Sequence, residues 1–134
     1  NYGYTKVERR TEISYVKNKD GLYDDLEDAR DKAVAGLMNY SDGKSNSDLN
    51  AAISIWEKAL TESDPEDRKA RIDEKVTIEI LKNLIKVYLT TYQTDKAQET
   101  IVKFKRMDLS YSEKQELEGF ELELKDKTPR AQAN

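Results

Sequence analysis

The side chains that could do acid–base or metal chemistry in this chain are carboxylates. Asp24 with Asp25, and Glu121 with Glu123, are the pairs that invite a general-acid or metal-binding role. Enzymes that work with two carboxylates hold them in a shaped, partly dry cleft. Here both pairs stand among charges on helix faces rich in lysine, and they read as solvated surface. The segment Asp42-Gly43-Lys44-Ser45-Asn46-Ser47-Asp48 has the look of a calcium loop. It lacks the alternating carboxylates before the glycine and the closing glutamate that such a loop needs, so it reads as a plain turn. The chain has no histidine and no cysteine. That removes the commonest general base and metal ligand, along with disulfides, thiol nucleophiles and thiolate metal sites. Serines without a histidine make a serine-nucleophile site improbable, and there is no glycine-rich phosphate loop. The expectation is a protein that is not an enzyme and holds no cofactor and no metal.

Composition points the same way. At 134 residues the chain is one domain's worth, enough for a single packed core. Charged and hydrophobic residues each make up 37 %, a balance that suits thin layers of helices with broad solvated faces. The net charge is −4, with 23 basic against 27 acidic residues well mixed along the sequence. No basic stripe of the kind that nucleic-acid binders carry is visible, so nucleic acid is disfavoured as a partner. No apolar run approaches the roughly 20 residues that span a bilayer, so direct membrane insertion is not expected. The sequence begins at Asn1, which suggests a processed or trimmed piece. An upstream signal or lipid anchor, and with it an extracytoplasmic location, would lie beyond it.

The elements that must position any site divide the chain in three. Residues 1–21 form an arm in which Tyr2, Tyr4, Val7, Thr11, Ile13, Tyr15 and Val16 favour an extended segment, closed by the turn signal Asn18-Lys19-Asp20-Gly21. A lone strand cannot satisfy its backbone groups, so this arm should pair with a second strand, with chain upstream, or with a symmetry mate. Residues 22–126 carry helical periodicity, and residues 127–134, with Pro129, read as a disordered tail. Within the helical part, Leu26, Ala29, Ala33, Gly36, Leu37 and Tyr40 mark a first amphipathic helix that stops in the loop Ser41–Asn46. Leu49, Ala52, Ile53, Trp56, Ala59 and Leu60 mark a second, ending before Asp64-Pro65, which read as the N-cap and first position of a third. The third helix runs to about Tyr92 in one piece or breaks near Ile72. Its second half is apolar over more than one stripe and should be the most buried element. Thr94 is expected to cap a fourth helix with Ala97, Ile101, Phe104 and Met107 inward. Ser110 and Glu113 are spaced as a capping box for a fifth, which presents Leu117, Phe120 and Leu124.

Short connections make neighbouring helices antiparallel, and two helix pairs with a final helix are the plan of a short solenoid. Leu84, Tyr88, Ala97, Ile101 and Phe104 stand at spacings of four, nine, four and three. In these positions the segment resembles one tetratricopeptide repeat, with the small Ala97 leaving room for Tyr88 where the helices cross. Ala51, Ala52, Trp56, Ala59 and Leu60, followed by Asp64-Pro65, are similar to the second helix of another repeat, with the aspartate and proline one place late. The register departs from the family in that Ala52 and Ala97 are 45 residues apart against a repeat of about 34. Ile85 and Tyr92 replace two usual glycines, the second being that of the tight turn between the helices. The resemblance implies a mainly α fold of about five antiparallel helices in a short right-handed solenoid behind an extended N-terminal arm.

It also implies a groove lined by Glu79, Lys82, Lys86, Leu89 and Thr90. Lys82 and Lys86, one turn apart, could together hold a partner's carboxylate, or could be ordinary solvated lysines on a polar face. Trp56, the only tryptophan, is placed in the core by its position in the pattern rather than as a hot-spot anchor. Tyr2, Tyr4, Tyr15 and Tyr23 would either pair with a partner strand or simply pack back on the helices. Two functions follow as expectations. One is a non-catalytic module, or scaffold, that binds a protein or peptide in its groove. The other is a structural or assembly domain that docks on its own longer chain or self-associates, through the arm for example.

Overall fold

The computed structural model of the chain describes Ile13, residues 24–61 and residues 74–129. These form five helices and no strand: α1 (Asp24–Ser41), α2 (Ser47–Thr61), α3 (Glu74–Thr90), α4 (Thr94–Lys105) and α5 (Tyr111–Lys127). α1 packs on α2 and α3 on α4. α2 also touches α3, and α5 lies against both α3 and α4. The fold is therefore mainly α, as the periodicity indicated. The extended arm, the cap Asp64-Pro65 and the break near Ile72 fall outside the described residues, apart from Ile13.

The α1–α2 pair is built on small residues. Ala29 and Ala33 are fully buried on α1, opposite an α2 face of Leu49, Ala52, Trp56 and Ala59. Gly36 marks the closest approach: a Cβ there would stand 2.6 Å from the backbone nitrogen of Leu49 and 2.8 Å from its Cα. The helix then stops on Gly43, whose φ of 73° only glycine adopts without strain. The Gly43 N–H donates to the Tyr40 carbonyl and the Lys44 N–H to that of Asn39, the paired bonds of a Schellman cap. Trp56 is fully buried, as its register required, and its Nε1 has no acceptor among the described residues. Ile13 of the N-terminal segment is also in this core, 5 % exposed, with its carbonyl accepting from Arg30 Nε at 3.1 Å.

α3 is buried almost all round. Ten of its residues are inaccessible, including the run Ile80 through Ile85, because α2, α4 and α5 all lie against it. Tyr88 reaches across to the first pair, its hydroxyl donating to Glu57 Oε2 at 2.7 Å. The α3–α4 turn closes on Tyr92 at φ 58°, in the left-handed region. The Tyr92 N–H donates to the Leu89 carbonyl and the Gln93 N–H to that of Tyr88, again a Schellman pair. Thr94 does not cap α4. It is the first helical residue, and Gln93 holds the N-cap position without a side-chain bond to the helix. The Gln93 amide instead donates to Thr91 Oγ1 at 2.8 Å, inside the turn.

The Ser110–Glu113 capping box of α5 is complete in both directions. The helix runs through Lys127, one residue past the boundary expected at 126, because that residue is fastened. Its Nζ donates to the Leu89 carbonyl at 3.0 Å, pairs with Glu123 at 3.0 Å and lies 4.7 Å from the centre of the Tyr92 ring. A cation thus sits at the negative end of α3. Lys127→Met, which keeps the apolar stem but removes the charge, is expected to lower stability by about 1–2 kcal/mol. Urea unfolding measures this, and an unchanged midpoint would mean that the contact carries no net energy.

Candidate functional site

The five residues implied as groove-lining lie along α3, but the structure separates their roles. Lys82 is 8 % exposed, with its Nζ 2.8 Å from Glu79 Oε2 and 3.1 Å from Glu116 Oε1 of α5. Its ammonium is held between two carboxylates of its own chain, one from its own helix and one from the helix that covers it. Leu89 is 1 % exposed and belongs to the core, and its carbonyl is the acceptor of Lys127. Lys86 and Thr90 are half-buried, and both are engaged with neighbouring groups. Glu79 is half-buried, with a third of its side chain in solvent. The face of α3 with this register is therefore largely occupied by α5, and Glu79, Lys86 and Thr90 are the part of it that solvent reaches.

Electrostatics at the two polar centres follows from their partners. Burial pulls Lys82 toward its neutral form, but the hydrogen bonds and charges of Glu79 and Glu116 outweigh it and raise the pKa above the ordinary 10.5. Burial, and then the hydrogen bond and charge of Glu57, push the Tyr88 phenol well above its ordinary 10.0. Both groups hold their protons more tightly folded than unfolded, so the folded chain binds more protons at alkaline pH. Their contribution to stability is full below the ordinary pKa values and is lost as pH rises through the raised ones. Urea midpoints should fall steeply above about pH 10, and the fall should be shallower in Lys82→Met and in Tyr88→Phe. Parallel slopes in all three proteins would assign the alkaline loss to other groups.

Beside Glu79 lies an open cleft of about 630 Å³ between the start of α3 and the α4–α5 connection. Ile78 and Leu109, both buried, give it an apolar side. Glu74, Glu79, Asp108 and Glu113 set four carboxylates around it against the single cation of Lys75. Three of the four have structural duties: Glu74 accepts from the Asp108 N–H at 3.2 Å, Glu113 accepts from the Ser110 N–H at 2.8 Å, and Glu79 holds the Lys82 ammonium at 2.8 Å. Comparison with protein-family models, curated proteins and solved structures gives no match for this chain. What the site can do rests on its geometry alone. Among the described residues there is no group of three or more acidic side chains placed to hold a metal ion, and no helix long and apolar enough to cross a membrane. The α3 face and its cleft offer hydrogen-bond acceptors, a short apolar strip and two half-buried side chains.

Sequence reasoning did not find Glu116, Lys127 or the cleft. One signal was present: Lys82 and Asn83 interrupt the apolar run from Ile80 to Ile85, and a lysine embedded in such a run needs a carboxylate from a neighbouring element.

Proposed function

We propose that this chain is a non-catalytic protein-interaction module of tetratricopeptide-like build. It receives a protein or peptide along the exposed edge of α3, where Glu79, Lys86 and Thr90 make the contacts while Lys82 and Leu89 hold the helix in place. The observation that carries this is the open, acid-rimmed cleft that continues from Glu79. Its apolar side and four carboxylates suit a partner segment that brings one apolar anchor with basic neighbours. The tetratricopeptide arrangement is supported by the left-handed Tyr92 at the repeat's glycine position and by the burial of both Tyr88 and Ala97. The contacts of α5 with both α3 and α4 support the same reading, in which it would open a further pair.

The test is affinity capture followed by charge reversal, with Lys82 spared because it is structural. Lys86→Glu/Thr90→Arg and, separately, Lys75→Glu alter the exposed edge and the cleft rim without touching the Lys82 cluster. Loss of a captured partner in the first variant supports recognition along α3. An altered salt dependence in the second supports the cleft. Full retention in both overturns the proposal.

The alternative is a structural or assembly domain. It is favoured by the occupation of Lys82 and of the Leu89 carbonyl by α5, which spends part of this face inside the chain. Recovery of only the chain itself in the same capture, with a dimer in solution, would decide for it.

A further inference from the structure

We propose that α5 is a releasable strap: it closes over the inner face of α3 in the free chain and leaves α1–α4 folded when it opens. α3 buries ten residues, whereas α5 buries only Leu117 and Phe120, each still 9 % exposed, with Leu124 partly covered. The remaining attachment is polar. Glu116 meets Lys82 and Lys127 meets the Leu89 carbonyl, both part-buried, and Glu121 meets Lys105 at 3.5 Å with 43 % and 63 % of their side chains in solvent. Units with few buried apolar contacts and exposed polar ones are those that open below the free energy of global unfolding.

The ends of the helix suit reversible release. The capping box lies within residues 110–113 and the Glu123–Lys127 pair within one turn, so both can re-form without the rest of the protein. The short connection from Arg106 to Ser110, tied to α3 through Glu74 and the Asp108 N–H, keeps the released helix close by. Opening uncovers the Lys82 ammonium with Glu79, the Leu89 carbonyl and the ring of Phe104, which Phe120 meets at a centroid distance of 5.8 Å. The occupant that fits this surface is an amphipathic helix repeating the pattern of α5: a carboxylate, an aliphatic residue directly after it, and an aromatic three residues later, as Glu116, Leu117 and Phe120 present them. This use of the surface rests on the interaction function proposed above, whereas the release of α5 belongs to the chain alone.

The experiment is amide hydrogen exchange on the full chain without a partner, so its result is independent of whether the binding proposal holds. A helix of this length is marginal in water once released, so its amides exchange on opening. The amides of residues 115–125 are expected to exchange about 100-fold faster than those of α3. Glu116→Gln, which leaves Lys82 paired to Glu79, is expected to speed α5 further by about tenfold without altering α1 or α2. Exchange of α5 at the rate of α3 would overturn the proposal, and so would a Glu116→Gln effect spread equally over all five helices.

Discussion

Gly36→Ala should destabilise the protein by about 2–3 kcal/mol, although alanine is the better helix former by about 1 kcal/mol. The added methyl would lie 2.6 Å from the nitrogen of Leu49 and 2.8 Å from both its Cα and its Cβ. Two of these three are backbone atoms, so no rotamer change relieves the overlap. α1 and α2 must move apart, and the fully buried Ala33 and Ala52 then lose the close packing that the small-residue face provides. Gly119→Ala is the matched control. On α5 a Cβ at Gly119 would meet nothing within 4 Å, so the same substitution should stabilise by about 0.5–1 kcal/mol. Urea unfolding of the two variants should give shifts of opposite sign. Equal gains at both sites would mean that the α1–α2 approach is looser than the structure shows.

That contrast also marks what the sequence could and could not disclose. Both glycines sit inside helices, and nothing local tells them apart. The difference lies in the element opposite, which periodicity does not identify. Features written in one segment were legible. The Ser110–Glu113 box needs only its own spacing, and the burial of α3 follows from a hydrophobic pattern too wide for one stripe. Tyr92 was marked as a turn residue by its register, and it takes the left-handed conformation despite its Cβ. Features that need two distant segments were hidden. Ile13 looked like one β-branched residue of an arm, yet it fills the core beside α1 under a bond from Arg30. Lys82 and Leu89 shared a helix face with Lys86, but only the docking of α5 determines which of them solvent reaches. Lys127 fell in a stretch with no apolar pattern that ends in Pro129, and nothing in that stretch points to the Leu89 carbonyl that its ammonium meets.

The same docking makes Lys82→Glu the second large effect. The substitution would place a third carboxylate between Glu79 and Glu116, where the native ammonium lies 2.8 and 3.1 Å from their oxygens. Breaking a buried pair and reversing its charge costs about 3–5 kcal/mol in a closed site. Because both glutamates keep about a third of their side chains in water, about 2–4 kcal/mol is expected here at neutral pH. Lys82→Met should cost only about 1 kcal/mol, since each glutamate can be hydrated in place of its lost partner. The pH dependence separates repulsion from simple loss of the pair. In Lys82→Glu three carboxylates crowd together and repel one another, and protonation at low pH removes that repulsion, so the variant is expected to regain stability as pH falls. The two stability curves should therefore converge toward about pH 4, with Lys82→Met lying between them at neutral pH. If Lys82→Glu stays equally destabilised down to that pH, packing and not charge is responsible. Convergence would carry a consequence for function as well. Lys82→Glu would then both loosen α5 over α3 and remove a contact of the surface that α5 covers, so recognition at the exposed edge is to be read from Lys86 and Thr90 instead.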